Sequence, residues 1–282
     1  MTSTGRRVVG GLADGLLELG RLVLPVDCAG CGEPDMPWCD RCARSLGEPW
    51  RCEHLAGRLD TLAGAPPPPV WATSRYVGEV RRAVVRWKDR GRLDLTTPFA
   101  AALTTAATHL APQLGPGGAD VLVVPVPSSP AARRSRGTDP VAALAEAVAT
   151  GLRVAGVRAV VVRALRRRAG GRDQVGLGAR DRRANLRGAV VPVRRAARVR
   201  DAAWHAGARP AVVLVDDVLT TGATFAACAA VLGASGLPVT AGLVLASTPP
   251  PGADRPVRVP PRPVPDPPVR RVADPAGNGL AW

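Results

Sequence analysis

Apolar residues along this chain fall into two rhythms. Short unbroken runs read as buried strands: Val121-Leu122-Val123-Val124, Ala159 to Arg163, Ala211-Val212-Val213-Leu214-Val215, and Val239 to Ala246. Between them lie Ala-rich stretches with helical spacing, Val141 to Leu152 and Thr224 to Ser235. Near the start, Leu12, Leu16, Leu19 and Val23 recur every three or four residues, which predicts a helix over residues 6–23 that stops before Pro25. Strands alternating with helices favour an α/β fold built on a parallel sheet with right-handed crossovers. Sheets of this kind bind ligands at the carboxyl ends of their strands.

Breaks in composition divide the chain. Residues 1–54 hold the first helix and five of the six cysteines. Residues 55–70 are rich in Gly, Ala and Pro and finish in Pro66-Pro67-Pro68-Pro69, which reads as a stiff linker. Residues 71–248 carry the α/β pattern. Residues 249–282 are crowded with proline and offer almost nothing for a core, so a disordered tail is expected. At 282 residues and 46% hydrophobic content, one or two domains with a sizeable core are expected. No run of about 18 uncharged apolar residues occurs, so a membrane-spanning helix is not expected. Asp14, Glu18 and Arg21 interrupt the first apolar stretch, which argues against a secretory signal and for a reducing cytoplasm.

There the cysteines are better metal ligands than disulfide partners. Cys28-x-x-Cys31 and Cys39-x-x-Cys42 are two chelating pairs separated by seven residues. Each turn sets two thiolates on one side of a tight loop, and two such turns complete a tetrahedral zinc site. A redox role is the rival, because the same spacing lowers thiol pKa values. Cys52 and His54 read as bystanders, and Cys228 as a small core residue among alanines.

The net charge is +15, and Lys88 is the only lysine beside 37 arginines. Such bias, with no isoleucine, resembles the residue usage of a GC-rich genome. It need not mark a nucleic-acid binder, although excess arginine attracts phosphates. Candidate chemistry concentrates instead in Val213-Leu214-Val215-Asp216-Asp217-Val218-Leu219-Thr220-Thr221-Gly222-Ala223-Thr224. An apolar strand meets two acids, then a Thr/Gly loop, then a helix. Unpaired N–H groups at a helix start hold phosphate, and Gly222 lets the backbone approach it. The hydroxyls of Thr220, Thr221 and Thr224 add donors. Asp216 and Asp217 are suited to a ribose diol or to a Mg²⁺ ion.

This segment resembles the phosphoribosyl pyrophosphate (PRPP) signature of type I phosphoribosyltransferases. With the cysteine module in front, residues 20–248 look like a ComF (GntX) family protein. Tyr76-x-Gly78-x-x-Arg81 with Lys88-x-x-Gly91 is similar to that family's lead-in to the transferase domain. Val124-Pro125-Val126-Pro127, then Arg133, Arg134, Arg136 and Gly137, is similar to its second phosphate-contacting segment. Gln174, Arg180, Asn185 and Gly188 match a further stretch. Two departures stand out. A third cysteine pair is reduced to Cys52 with His54, and Thr138-Asp139 replaces an aromatic and an Asn.

The resemblance implies a type I phosphoribosyltransferase-like sheet preceded by a four-cysteine zinc module. It implies that Asp216 and Asp217 bind the ribose hydroxyls of PRPP as the catalytic acids. Thr220, Thr221, Gly222, Ala223 and Thr224 would cradle the 5-phosphate. Val126, Pro127 and Ser128, with Arg133 or Arg134, would face the pyrophosphate, and Mg²⁺ would bridge it to the sugar. The implied reaction transfers phosphoribose to or from a nitrogenous base. The alternative is a non-catalytic PRPP or nucleotide sensor, or a DNA-uptake (competence) accessory that meets single-stranded DNA and a helicase-like ATPase. Residues 164–188, with Arg166, Arg167, Arg168 and five more arginines among glycines, suit a lid over phosphates. They contain no aromatic residue for base stacking, which disfavours a single-strand platform. His54, His109 and His205 lack the partners of a hydrolase triad.

Overall fold

A computed structural model describes residues 26–57, 59, 67–115, 119–128, 139–168, 190–193 and 209–249. The expected first helix, Arg133, Arg134, most of the proposed lid and nearly all of the C-terminal tail lie outside the described residues.

Eight strands occur among the described residues: β1 Trp50–Arg51, β2 Val70–Arg75, β3 Val121–Pro125, β4 Ala159–Val161, β5 Leu165–Arg167, β6 Val190–Pro192, β7 Ala211–Leu219 and β8 Ala241–Ser247. The helices are α1 Asp40–Ala43, α2 Gly78–Asp89, α3 Thr96–His109, α4 Ala111–Leu114, α5 Pro140–Val154 and α6 Ala223–Ala234. Six strands form one sheet in the order β1-β2-β8-β7-β3-β4, parallel throughout except for the short β1 at one edge. β5 and β6 form a separate antiparallel ribbon. No helix among the described residues is long and apolar enough to cross a membrane.

Period-2 alternation builds two apolar layers from one sheet. Val121, Val123, Val213, Val215, Leu243 and Leu245 face one layer, where α2, α3 and α5 cover them with Trp87, Phe99, Leu103, Leu144 and Leu152. Leu122, Val124, Val212, Leu214 and Val244 face the other, covered by Phe225, Cys228 and Leu232 of α6 and by Leu165 and Val190 of the ribbon. Burial on both faces explains why these strands read as continuous apolar runs rather than alternating ones. In the first layer α3 and α5 touch backbone to backbone. A side chain at Gly151 would meet the Thr104 carbonyl at 2.2 Å, and Thr108 Oγ1 donates to the Gly151 carbonyl at 3.1 Å.

Two boundaries depart from the sequence expectation in an informative way. β4 stops at Val161 instead of Arg163, and β7 continues four residues past Val215 to Leu219. β8 supplies the reason for the second: its register gives partners as far as Asp216↔Val244, Val218↔Ala246 and Leu219↔Ser247. The pairing with β3 ends earlier, at Pro125↔Val215, followed by one bond from Val126 N–H to the Val215 carbonyl at 2.8 Å. Beyond that point β7 has a strand partner on one flank only among the described residues.

The stretch between the cysteines and the sheet is fastened rather than free. Cys52 N–H donates to the Val70 carbonyl at 2.8 Å, and Gly47 N–H to the Thr73 carbonyl at 2.9 Å. Ala56 and Leu59, at the start of the expected linker, are buried in the second layer.

Candidate functional site

Past Val215, β7 borders a cleft with room for about 350 Å³. Its position follows from connectivity. β3 and β7 are neighbours, but β3 leads to α5 on one face while β7 leads to α6 on the other. Chains that leave adjacent parallel strands in opposite directions open a crevice at their carboxyl ends. Val126, Pro127 and Ser128 wall it on the β3 side, with Pro140 and Val141 of the first turn of α5. Asp216, Asp217 and Val218 wall it on the β7 side, and Thr220 and Thr224 follow. Tyr76 and Lys88 approach from the α2 layer, and Arg167 from the ribbon.

Seven of the residues singled out from sequence therefore share this one cleft. Thr221, Gly222 and Ala223 complete the loop without lining it. Gly222 has φ +76° and lies directly before α6, where left-handed backbone favours glycine. A Cβ there would also stand 2.9 Å from Leu59 Cγ and 3.0 Å from Ala56 Cβ, so there is no room for one. No side chain caps α6 at its N-cap. Ala223 N–H donates to Thr221 Oγ1 at 3.4 Å. A helix start prepared in this way presents donors toward an anion.

The two acids do not act as twins. Alternation along β7 turns Asp216 toward the α6 layer and Asp217 toward the α2 layer. Asp217 is buried: Oδ1 accepts Val218 N–H at 2.7 Å, while Oδ2 forms an ion pair with Lys88 Nζ at 2.5 Å and has no hydrogen-bond partner among the described residues. Asp216 is half-buried, and its Oδ1 accepts Asp217 N–H at 2.9 Å. Burial, and then the neighbouring Asp217 carboxylate, push the Asp216 carboxyl well above the ordinary carboxylate range, although Lys88 opposes this. Cys228 is fully buried and its thiol is pushed up by burial and by Asp216, as an inert core thiol should be. Arg167 brings a second cation to the cleft, and its buried Nε has no hydrogen-bond partner among the described residues.

Sequence reasoning did not assign Lys88, Tyr76 or Arg167 individually to the site, nor Asp139. Lys88 had a signal, as the only lysine in an arginine-rich chain. Asp139 precedes α5, accepts a hydrogen bond from Ser128 Oγ at 3.2 Å and lies 3.5 Å from Arg163. It thereby ties the turn after β3 to the start of α5.

The cysteines form a second centre. The sulfurs of Cys28, Cys31, Cys39 and Cys42 all lie within 4.8 Å of one another, with Cys28–Cys39 at 3.6 Å and Cys31–Cys39 at 3.5 Å. A tetrahedral zinc with bonds of ~2.3 Å requires sulfurs about 3.8 Å apart, so this donor set fits a metal such as zinc. The Arg41 guanidinium holds the Cys31 thiol down to about 6, while burial pushes Cys42 up. Cys39 N–H points at Cys28 Sγ at 3.4 Å. Cys52 and Cys228 stand in the second apolar layer, apart from this group.

The cysteine module grips α2. Arg82 Nε donates to the Gly30 carbonyl at 2.5 Å and Arg86 to the Cys28 carbonyl at 3.2 Å, while Ser45 Oγ donates to Glu79 at 2.5 Å. Trp38 of the module meets Phe99 edge-on at 5.9 Å, and Phe99 meets Trp87 of α2 at 5.3 Å. The helix that supplies Lys88 to the cleft is thus anchored by the cysteine module.

What fold and site define is a mixed α/β protein: a mostly parallel six-stranded sheet with helices on both faces, a charged cleft at its carboxyl edge and a cluster of four cysteines whose placement fits a metal ion. No protein-family model matches the chain, and no curated protein is significantly similar to it.

Proposed function

We propose that this chain is a phosphoribosyltransferase-type protein of the ComF kind, binding PRPP in the β7–α6 cleft. The observation that carries the reading is the convergence of three parts on one cavity: a strand ending in two acids, a Thr/Gly loop whose left-handed glycine opens a helix, and the Val126–Ser128 turn opposite. The α6 N-terminus and the Thr220 and Thr224 hydroxyls suit a terminal phosphate. The carboxyl of Asp216, which lines the cleft, suits a sugar hydroxyl. Val126, Pro127 and Ser128 bound the place for the leaving pyrophosphate.

In the transfer, the bond from C1 to the pyrophosphate oxygen breaks and its electron pair leaves with pyrophosphate. A nitrogen of the acceptor base bonds to C1 and gives up its proton to solvent. Positive charge builds on the ribose and negative charge on the leaving group, so fixed cations around the cleft accelerate the step. Loss of one such contact typically costs about a hundredfold in rate.

The acids do not form a cage for Mg²⁺. Asp217 is buried and an ammonium stands 2.5 Å from its Oδ2, so the pair does not fit a divalent ion held by the protein alone. Zinc fits the cysteine module, where Cys28, Cys31, Cys39 and Cys42 would hold it. Bound there, it supplies cross-linking of the loop rather than chemistry.

Calorimetry with PRPP, with and without Mg²⁺, tests the reading. The wild-type chain should bind, and the Asp216→Asn/Asp217→Asn pair should not. No heat with the wild type overturns the proposal. Pyrophosphate release on adding purine or pyrimidine bases would establish turnover, whereas binding without release would mark a sensor.

A further inference from the structure

We propose that the two acids divide their labour: Asp217 is a positioning residue, and it holds the ammonium of Lys88 as the group that contacts the phosphoryl oxygens of the ligand. This rests on the reading of the cleft as a site for a phosphorylated sugar and changes the part assigned to Asp217 within it. A carboxylate buried against Lys88 Nζ, with its other oxygen on Val218 N–H, offers little surface to a sugar hydroxyl. Lys88 is in the opposite position. An ammonium carries three donors, and its side chain is 32% exposed toward the cleft while that of Asp217 is 4% exposed. Its exposed side chain lines the cleft beside Asp217 and sets its positive charge where an anion would enter.

The choice of lysine supports the same assignment. In a chain whose other 37 basic residues are arginine, the cleft cation from α2 is the single lysine. Guanidinium is a rigid planar fork that matches a carboxylate through two parallel bonds. Here the second oxygen of Asp217 already belongs to a backbone N–H, so a fork would find only half its partner. A compact ammonium on a flexible stem fits that single oxygen and can swing between partner and ligand. Lys88 also lies in the last turn of a 12-residue helix, where the backbone dipole favours a cation, and Arg82 and Arg86 hold that helix to the cysteine module.

Because Lys88 is unique, growth on ¹³C-lysine labels one side chain in the zinc-loaded full chain. Inorganic pyrophosphate, inorganic phosphate and uncharged ribose are the probes. Pyrophosphate and phosphate should move the Lys88 signal and ribose should not. Lys88→Met should weaken pyrophosphate binding about tenfold or more, and Lys88→Arg should restore little of it. Asp217→Asn should move the Lys88 signal without ligand and weaken pyrophosphate several-fold. Asp216→Asn should spare pyrophosphate and weaken only PRPP. If the wild type binds pyrophosphate and Lys88→Met binds it equally, or the Lys88 signal stays still at saturation, the division of labour is overturned while the cleft reading stands. If the wild type binds neither pyrophosphate nor PRPP, both fall.

Discussion

Replacing Gly222 by alanine would probe the loop on which the functional reading depends. Two costs add. An L-residue forced to φ +76° costs about 1–2 kcal/mol. The new Cβ would also stand 2.9 Å from Leu59 Cγ and 3.0 Å from Ala56 Cβ, both fully buried, and overpacking of this kind costs about 1–3 kcal/mol. Together they amount to about 2–5 kcal/mol, which for a protein of this size lowers Tm by about 5–15 °C. The two terms separate in a double-mutant cycle. Leu59→Ala destabilises on its own by emptying a buried site, about 2–5 kcal/mol. In the Leu59→Ala background, however, Gly222→Ala should cost about 1 kcal/mol less, because one of its two clashes is gone. Thermal unfolding of the four proteins by circular dichroism gives the cycle directly. A Gly222→Ala protein melting within about 2 °C of wild type would refute the left-handed, crowded geometry. An unchanged cost in the Leu59→Ala background would refute the crowding alone.

Two further outcomes follow from charge and sulfur. The Asp216 carboxyl is raised above its unfolded value of ~3.9, so the folded state binds the extra proton and the stabilisation is lost as pH climbs through the raised value. Asp216→Asn should therefore gain Tm relative to wild type progressively as the pH rises above about 4, and a difference independent of pH would contradict the burial of that carboxyl. Purified protein should carry one zinc by elemental analysis. Chelation, or Cys28→Ser with Cys39→Ser, should expose the amides of α2 to hydrogen exchange before those of β7, since Arg82 and Arg86 are held by the carbonyls of Gly30 and Cys28. Equal protection of α2 with and without metal would count against that linkage.

Much of the architecture was legible because buried parallel strands announce themselves. Val121–Val124 and Ala211–Val215 are apolar at every position, as only strands covered on both faces are. The cysteine spacing was equally plain, since chelating turns are local. What sequence could not give was the end of β7. A pair of aspartates ordinarily marks the edge of a strand, yet β8 continues alongside and carries the ladder through Asp216 and Asp217 to Leu219. Nor could it give the partner of Asp217, because Lys88 is 129 residues away in the chain and reaches it only after α2 packs on the sheet. The burial of Leu59 under Gly222 was hidden for a similar reason: a Gly- and Pro-rich stretch looks like a spacer until the loop above it needs a floor.

The extension of β7 has a consequence for how the cleft is charged. Had the strand stopped at Val215, both acids would have stood in a turn and could have faced one ligand together. Within the ladder they must alternate, so each draws its surroundings from a different layer of the fold. Asp217 meets a cation from the α2 layer, which the cysteine module anchors. Asp216 meets the α6 layer, where its charge reaches Cys228, and Arg167 of the ribbon lines the same cleft. The ribbon that carries Arg167 also brings together the two ends of the arginine-rich segment, through the Arg167↔Val190 pair. Perturbing the cysteine module should therefore act on the cleft through Lys88 and Asp217. Perturbing the ribbon should act through Arg167, and the two effects should not simply add, because Asp216 and Asp217 are bonded neighbours and Lys88 acts on both.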